Sequence, residues 1–348
     1  MKIHDTIIIG GGQAGLSVAY FLRRYKLDFL ILDAEDSPGG SWLHTWDSLK
    51  LFSPHGHSTL SGWRMPIGPH PYPDKSEVIE YLTAYEGRYG FPVERPVRVR
   101  AVRKQDDFFA IETDRGLYHS RTVVSATGGA HHPFIPSYGQ EAFLGQQLHS
   151  AAYRRPDGFV GKRVLVVGGG NSGAQILAEV SRVAHTQWVT LEPPRFLPDE
   201  VDGRFLFDEA TRKFMNPKAG PAQRPYSLGD IVMLETVKEA RSRGVLHARR
   251  PFQSFYPEGV RWEEGTEEAF DAVIWCTGFK TDLSHLDPLG LADKGRIATR
   301  QTRSVAEPQL WLVGYGNWTG FASATLYGVG KTARDTAKEI DQFIQGLG

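Results

Sequence analysis

The chain has 348 residues, 41% of them hydrophobic and 23% charged, and its 40 basic and 40 acidic side chains cancel to a formal charge of zero. That length accommodates two hydrophobic cores, the usage is ordinary for a globular protein, and the absent net charge argues against nucleic acid or an anionic membrane surface as partner. A single cysteine, Cys276, excludes an internal disulfide, a C-x-x-C redox pair and a thiolate metal cage. No apolar run approaches the length of a membrane span, and the chain enters its first strand without a charged and then apolar leader. The expectation is a cytoplasmic protein with no membrane partner.

In chain order, the apolar strand Thr6–Ile9 runs into Gly10-Gly11-Gly12-Gln13-Ala14-Gly15, and a helix is expected from Gln13 to Tyr25. Strand, glycine turn and helix in that order form a dinucleotide fingerprint. Gly10, Gly12 and Gly15 permit the tight turn and close backbone approach, and the free N–H groups from Gln13 onward receive a pyrophosphate. The strand Phe29–Leu32 ends in Asp33, eighteen residues beyond Gly15, where a carboxylate accepts from both ribose hydroxyls of FAD or NAD. A loop rich in Trp, Pro and His follows to about residue 73. Asp74 to Tyr89 reads as a helix with Asp74 as N-cap and Glu77 closing a capping box.

Three β-like runs come next: Val97–Lys104, Phe108–Thr113 and Tyr118–Ser125. The last enters Ala126-Thr127-Gly128-Gly129, a tight turn that lets the chain approach a flat cofactor. A second fingerprint, Gly168-Gly169-Gly170-Asn171-Ser172-Gly173, lies 158 residues after the first, behind the strand Val164–Val167 and ahead of a helix expected from Asn171 to Val183. Gly168, Gly170, Asn171, Ser172 and Gly173 are candidates to hold a nicotinamide dinucleotide, so one chain is expected to bind two dinucleotides.

After the strand Trp188–Leu191 the ribose-reading offset carries neutral Leu191, with Glu192 and Arg195 beyond. Glu192 suits NADH and Arg195 suits the 2′-phosphate of NADPH, so both coenzymes stay open. Pro193–Pro225 is irregular, readable as a mobile cover or as a packed Ω-like insertion. A helix Leu228–Arg243 and a strand Ala272–Trp275 follow. Cys276-Thr277-Gly278-Phe279 then repeats the strand-then-Thr-Gly pattern of 126–128 as a return crossing. Finally a strand Leu310–Val313 meets Gly314–Asn317, and a helix is expected over about 322–344. Its N-terminus near Thr319–Ser323 would aim at the cofactor and stabilise negative charge there.

Residues 143–153, Phe143-Leu144-Gly145-Gln146-Gln147-Leu148-His149-Ser150-Ala151-Ala152-Tyr153, fit the F-x-G-x-x-x-H-x-x-x-Y signature of the flavin-containing monooxygenases, just ahead of the second fingerprint as in that family. With Gly170–Gly173 and Thr277-Gly278-Phe279, essentially the whole chain resembles the broad group that includes plant auxin-forming and bacterial CzcO-like enzymes. Gly39–Trp42, Trp46–Leu49, Val201–Arg204, Gly229–Val232 and Trp318–Thr325 are similar to the flavin monooxygenases encoded with bacterial arsenic-resistance genes.

The resemblance implies an α/β fold of two Rossmann-like dinucleotide-binding domains, the NAD(P)-binding one inserted into the FAD-binding one, with 1–154 and 275–348 holding FAD and 155–274 holding NAD(P)H. It implies FAD and NADPH, or NADH, as cofactors, with hydride passing to flavin, O2 combining at C4a, and a C4a-(hydro)peroxyflavin oxygenating a soft nucleophilic small molecule. Gly40, Ser41 and Trp42 would lie near the ribityl or ring end of FAD, Thr127 and Gly128 against it, and Asn317 beside the flavin. His149 would shape the coenzyme-side interface rather than move a proton.

Trp42, Trp46, Phe52 and Trp63 either line a dry pocket or form core. His55, His57, His131 and His132 lack neighbouring carboxylate or thiolate ligands in sequence, so no metal is expected. Two departures stand out: Ser48-Leu49 leads to Lys50-Leu51-Phe52, where many relatives have a flavin-facing asparagine, and Leu191 replaces an arginine common in plant relatives. Tight trivalent arsenic sites use two or three thiolates and this chain has one cysteine, so thiol-conjugated and organic arsenicals and sulfur, nitrogen and selenium centres all remain open as substrates. A diaphorase-like NAD(P)H oxidase and a non-catalytic flavin or NADP sensor are the competing functions. No residue is assigned as catalytic acid or base, and the oligomeric state is open, a homodimer included.

Overall fold

The computed structural model describes residues 2–208, 226–227 and 229–346. The chain separates into two compact units, one of Met1–Leu43, Pro54–Gly129 and Thr281–Gly348, the other of His44–Ser53 and Ala130–Lys280.

In unit 1 the strands are β1 (His4–Ile9), β2 (Phe29–Leu32), β3 (Val93–Glu94), β4 (Val99–Gln105), β5 (Phe108–Thr113) and β6 (Gly116–Ser125). Unit 2 contributes β7 (Gln146–His149), β8 (Arg163–Val167), β9 (His185–Val189), β10 (Ala248–Arg249), β11 (Ser254–Tyr256), β12 (Gly259–Arg261), β13 (Glu267–Ala269) and β14 (Ala272–Trp275). Returning to unit 1, the chain adds β15 (Ala292–Asp293), β16 (Arg296–Ile297), β17 (Thr299–Arg300), β18 (Arg303–Ser304) and β19 (Leu310–Leu312).

The sheet of unit 1 has β3, β2, β1, β6 and β19 side by side and parallel, with β18 and β17 extending the edge beyond β19. Continuous burial of Ile7, Ile8, Ile9 and Leu30–Leu32 follows from both faces being covered. One face, with Ile7, Ile9, Val123 and Leu312, packs under Phe109 and Ile111 of the β4–β5 hairpin and under Leu283 and Leu286. Ile8 points the other way, beneath α1 (Gln13–Leu22), which packs with α5 (Val329–Gln345). Helix α2 (Lys75–Tyr89) starts in a complete capping box, Asp74 Oδ1 accepting from Glu77 N–H and Glu77 Oε2 from Asp74 N–H. It ends at Gly90 in the left-handed region.

Unit 2 is a parallel sheet ordered β10, β9, β8, β14, β7, flanked by α3 (Asn171–Val180) and α4 (Glu235–Ser242). A small antiparallel sheet of β11, β12 and β13 buries Phe252, Phe255, Val260 and Trp262 against Leu165, Val189 and Trp275. Counting from each fingerprint strand, the two sheets have the same order, third, second, first and fourth. The fifth position is filled by β19 in unit 1 and in unit 2 by β7, which precedes β8 in sequence. This pairing, Ala272–Trp275 beside Gln146–His149, carries the signature segment into unit 2. The chain passes between the units at 43/44, 53/54, 129/130 and 280/281.

Other elements also differ in extent. The last helix begins at Val329, not near 322, because Gly320 at φ 137° and Ala322 at φ 55° turn the backbone away from a helical path. Thr319–Ser323 is thus a turn, and its expected role as a positive helix end is not met. The helix expected from residue 228 begins at Glu235, because Ile231 pairs with 195–197 instead. Of the irregular stretch 193–225, residues 203–208 are helical and 209–225 lie outside the described residues. Among the described residues no helix is long and apolar enough to cross a membrane.

Candidate functional site

At the carboxyl end of β1 the chain turns through Gly10, whose φ of 107° suits glycine alone. A methyl on Gly10 would lie 2.6 Å from the Ala126 carbonyl oxygen, and one on Gly15 would lie 1.9 Å from that of Gly10. The packing of the turn demands both glycines. Gly12 is different: it is the extended N-cap of α1 at φ −77°, and the nearest atom to an added methyl is the Gly40 Cα at 3.7 Å. The fold does not need glycine there. A side chain would instead fill the space before the first helical N–H groups, which no side chain caps. A bare Cα in front of uncapped helical amides is the cradle a pyrophosphate takes, so these residues fit a dinucleotide.

Several expected residues converge on this turn. Gly40, at φ 54°, would place a methyl 2.8 Å from the Gly12 Cα. Gln13 donates from Nε2 to the Ala324 carbonyl at 2.6 Å and accepts at Oε1 from Trp42 Nε1 at 3.0 Å. Ser41 is exposed on the same 3-10 turn, and Asn317 is exposed on another at Gly316–Trp318. Asp33 is 4% exposed, with Oδ2 directly beneath Gly11.

That carboxylate has a partner the sequence did not reveal. Arg95 reaches Asp33 Oδ2 through Nε at 3.0 Å and Nη2 at 2.9 Å, and spans Glu86 through Nη1 at 2.7 Å and Nη2 at 2.9 Å. Burial pulls the Arg95 guanidinium down, but its bonds to Glu86 and Asp33 outweigh this and hold it above its usual range. The charge beside the cradle is thereby fixed.

The second fingerprint repeats the construction. Gly168 has φ 133°, a methyl on it would sit 2.2 Å from the Cys276 carbonyl oxygen, and one on Gly173 would sit 2.2 Å from the carbonyl of Gly168. Gly170, the N-cap of α3 at φ −100°, has nothing within 4 Å of an added methyl. The amides also match: Gly10 N–H donates to Leu32 and Ala126 to Ile9, as Gly168 donates to Val189 and Cys276 to Val167, all at 2.7–2.8 Å.

Ser172 is partly buried in the first turn of α3. Asn171 spends its side chain elsewhere. Its Nδ2 donates to the Asp230 carbonyl at 2.9 Å and its Oδ1 accepts from Val232 N–H at 2.9 Å. What Asn171 offers a coenzyme is therefore its backbone, while its amide pins the 230–232 loop. Arg195 lies 3.6 Å from Asp230 Oδ1 on that loop. At the end of β9, Arg250 donates to the Leu191 carbonyl at 2.6 Å and lies 3.5 Å from Glu192, a second cation that residue spacing did not single out.

The remaining expectations resolve locally. His149 is buried at the end of β7, edge-on to Phe279, and accepts at Nδ1 from Ala151 N–H at 3.1 Å. Burial lowers its pKa, which suits a positioning role over proton transfer. Trp63 packs on Tyr81, and Trp46 is buried core of the other unit. His55 meets Glu77 and Gly68, while His57 lies against Tyr327. Cys276 is wholly enclosed, its thiol pushed up to about 12 by burial.

Residues 7–195 match the family described as pyridine nucleotide-disulphide oxidoreductase. The chain is 48% identical to a flavin-containing monooxygenase from Stenotrophomonas maltophilia, over 99% of this chain and 100% of that one, with a TM-score of 0.91. The chain belongs to the flavin-containing monooxygenase family. This monooxygenase is also 32% identical to an uncharacterized oxidoreductase CzcO of Bacillus velezensis, over 97% of this chain and 99% of the relative. Indole-3-pyruvate monooxygenase YUCCA1 of Oryza sativa is 28% identical over 97% and 91%. Cys276 gives this monooxygenase no cysteine pair for the disulphide chemistry in the broader family's description.

Proposed function

We propose that unit 1 holds FAD, that unit 2 holds NAD(P)H, and that the enzyme oxygenates a soft nucleophilic small molecule. One observation carries the assignment: Gly12 and Gly170 are bare where the fold does not require it, and each opens onto an uncapped helix N-terminus. Reduced flavin supplies the oxygen chemistry once O2 and hydride have been delivered. The protein binds and orients.

In unit 1 the amides from Gly12 onward would hold the pyrophosphate, and Asp33, whose Oδ2 is taken by Arg95, would offer Oδ1 to the adenosine ribose. Trp42 is locked by Gln13 beside the same turn. In unit 2 the amides after Gly170 meet the coenzyme pyrophosphate. Glu192 and Arg250, 3.5 Å apart past the end of β9, would read its ribose, the first suited to a 2′-hydroxyl and the second to a 2′-phosphate. NADPH with tolerance of NADH is the reading these two support.

For substrate, the enclosed, unreactive Cys276 offers no thiolate cage for inorganic trivalent arsenic. Sulfur, nitrogen, selenium or carbon-bound arsenic centres fit the proposed chemistry better. Its single buried cysteine and absence of a membrane-length helix among the described residues are compatible with a cytoplasmic enzyme.

Anaerobic reduction of the FAD-loaded enzyme by NADPH and by NADH, followed by mixing with O2 and a panel of thioethers and organic arsenicals, tests this. Consumption of coenzyme matched by oxygenated product is the expected result. Stoichiometric hydrogen peroxide with every substrate would instead make it an oxidase.

A further inference from the structure

Unit 1 contains a polar chain, buried at Ser125 and His285 and half-buried at Thr127 and Tyr315, that no step above uses. Ser125, the last residue of β6 and fully buried, has its Oγ 3.0 Å from His285 Nε2 and 2.6 Å from the Tyr315 hydroxyl. The Tyr315 hydroxyl lies 2.8 Å from Thr127 Oγ1, and Thr127 Oγ1 reaches the Asp282 carbonyl at 3.1 Å. The proton positions follow from one end. A carbonyl only accepts, so Thr127 donates to Asp282. Its single proton is then spent, and Tyr315 must donate to Thr127. Ser125 must in turn donate to Tyr315, which leaves the Ser125 oxygen to accept from His285. His285 therefore carries a proton on Nε2. Four donors point the same way, from the imidazole to the Asp282 carbonyl.

The chain ends on the turn behind the first glycine cradle. Ala126 N–H donates to Ile9, the residue before Gly10, and the Ala126 carbonyl is the atom a methyl on Gly10 would strike. The Gly128 carbonyl also accepts from Asp282 N–H at 3.4 Å.

Unit 2 provides an internal control. Its equivalent turn, Cys276-Thr277-Gly278, has the same left-handed glycine, φ 82° against 66°, and its threonine hydroxyl likewise donates to a carbonyl, that of Phe134. Where unit 1 has Ser125, unit 2 has Trp275, which bonds Gln147 at 3.3 Å. The turn itself needs neither imidazole nor phenol. Burying Ser125 and His285, and half-burying the hydroxyls of Thr127 and Tyr315, carries a desolvation cost that only a satisfied network offsets.

We propose that Tyr315, Ser125 and His285 are positioning residues for the flavin, holding Thr127 in one orientation so that the Ala126–Gly128 turn presents a fixed edge to the bound cofactor. This rests on the assignment of FAD to unit 1. Tyr315→Phe keeps the ring and removes the link, while Thr127→Val keeps the shape and removes the hydroxyl. Each should slow flavin reduction at saturating NADPH by about tenfold and alter the visible flavin absorption and circular dichroism. Thr127→Ser should restore both to within about twofold, and the Tyr315→Phe/Thr127→Val double variant should be no worse than either single one, because one chain is cut in both.

The inference is overturned if both single variants keep wild-type reduction rates and flavin spectra, whatever their melting temperatures, or if their effects add. An Nε2 of His285 without a proton in ¹⁵N spectra would equally overturn it. Gly12→Ala separates the two levels. If that variant binds FAD normally, the assignment of FAD to unit 1 fails. If it loses FAD while Tyr315→Phe is silent, only the positioning role falls.

Discussion

Arg95 Nη2 lies 2.9 Å from Asp33 Oδ2, and both side chains are almost withdrawn from solvent, at 12% and 6% exposure. Removing the cation would leave a buried carboxylate uncompensated next to the first glycine turn. Breaking such a pair from one side costs about 3–5 kcal/mol, so Arg95→Ala should lower unfolding stability by an amount of that order. Urea denaturation of the apoprotein reads this directly. Arg95→Lys, which keeps the charge but not the fork spanning Asp33 and Glu86, should lose less.

The glycines divide into two classes with opposite outcomes. At Gly15 a methyl would overlap the Gly10 carbonyl, so Gly15→Ala should be destabilised by roughly 2 kcal/mol or more before any ligand is considered. At Gly12 and Gly170 a methyl meets only open space or ordinary contact. Both alanine variants should melt within a few degrees of wild type. Gly12→Ala should lose FAD by at least about tenfold in affinity and Gly170→Ala should lose NADPH similarly, each sparing the other cofactor. Equilibrium titrations of both ligands against both variants check the crossed pattern.

Legibility in the sequence followed the range of the interaction. The capping box of α2 was readable because Asp74 and Glu77 meet each other three residues apart. Both fingerprint turns were readable because a methyl on Gly15 or Gly173 would strike the carbonyl of Gly10 or Gly168 only five residues earlier. Arg95 and Asp33 are 62 residues apart, and nothing local to either names the other. The same holds for His285 with Ser125, 160 residues apart. The place of β7 was hidden for a different reason: a four-residue strand took the outer position of a sheet whose fingerprint strand comes after it in the chain. The last helix is shorter than its sequence pattern suggests because the left-handed backbone at Ala322 excludes a helix there.

Acid should weaken unit 1 through His285. Burial holds its pKa down to about 4 against 6.5 for a free imidazole, with Asp282 and Asp287 opposing the shift. A lowered folded-state pKa means that the unfolded chain takes up the proton first. Stability from this group is therefore fully present above about pH 6.5 and drains away as the pH falls toward 4, by about 3 kcal/mol at most. The Ser125 hydroxyl that meets Nε2 of the ring does not titrate in that window. His285→Asn should be less stable at pH 7.5 and should show a shallower decline between pH 6.5 and 4. Melting temperature against pH for the two proteins measures the difference in slope.

Asn171 supplies the last test, because its role is carried by atoms that do not face the coenzyme. Both ends of its amide are bonded to the backbone of 230–232, and the neighbouring Ile231 exchanges bonds with Arg195 and Leu197 at 2.7 and 2.9 Å. Asn171→Ala deletes the clamp yet leaves every backbone amide of α3 in place. Asn171→Asp keeps the acceptor for Val232 and turns the donor to Asp230 into a repelled oxygen. If the clamp orders the loop beside the coenzyme, both variants should raise the KM for NADPH by about tenfold while kcat stays within about twofold, the pattern of lost binding rather than lost chemistry. The aspartate should be the worse of the two, since its added charge also opposes a pyrophosphate at the same helix end. Steady-state coenzyme oxidation decides it: an equal fall in kcat and kcat/KM would move Asn171 from loop anchor to a group acting in the hydride-transfer step.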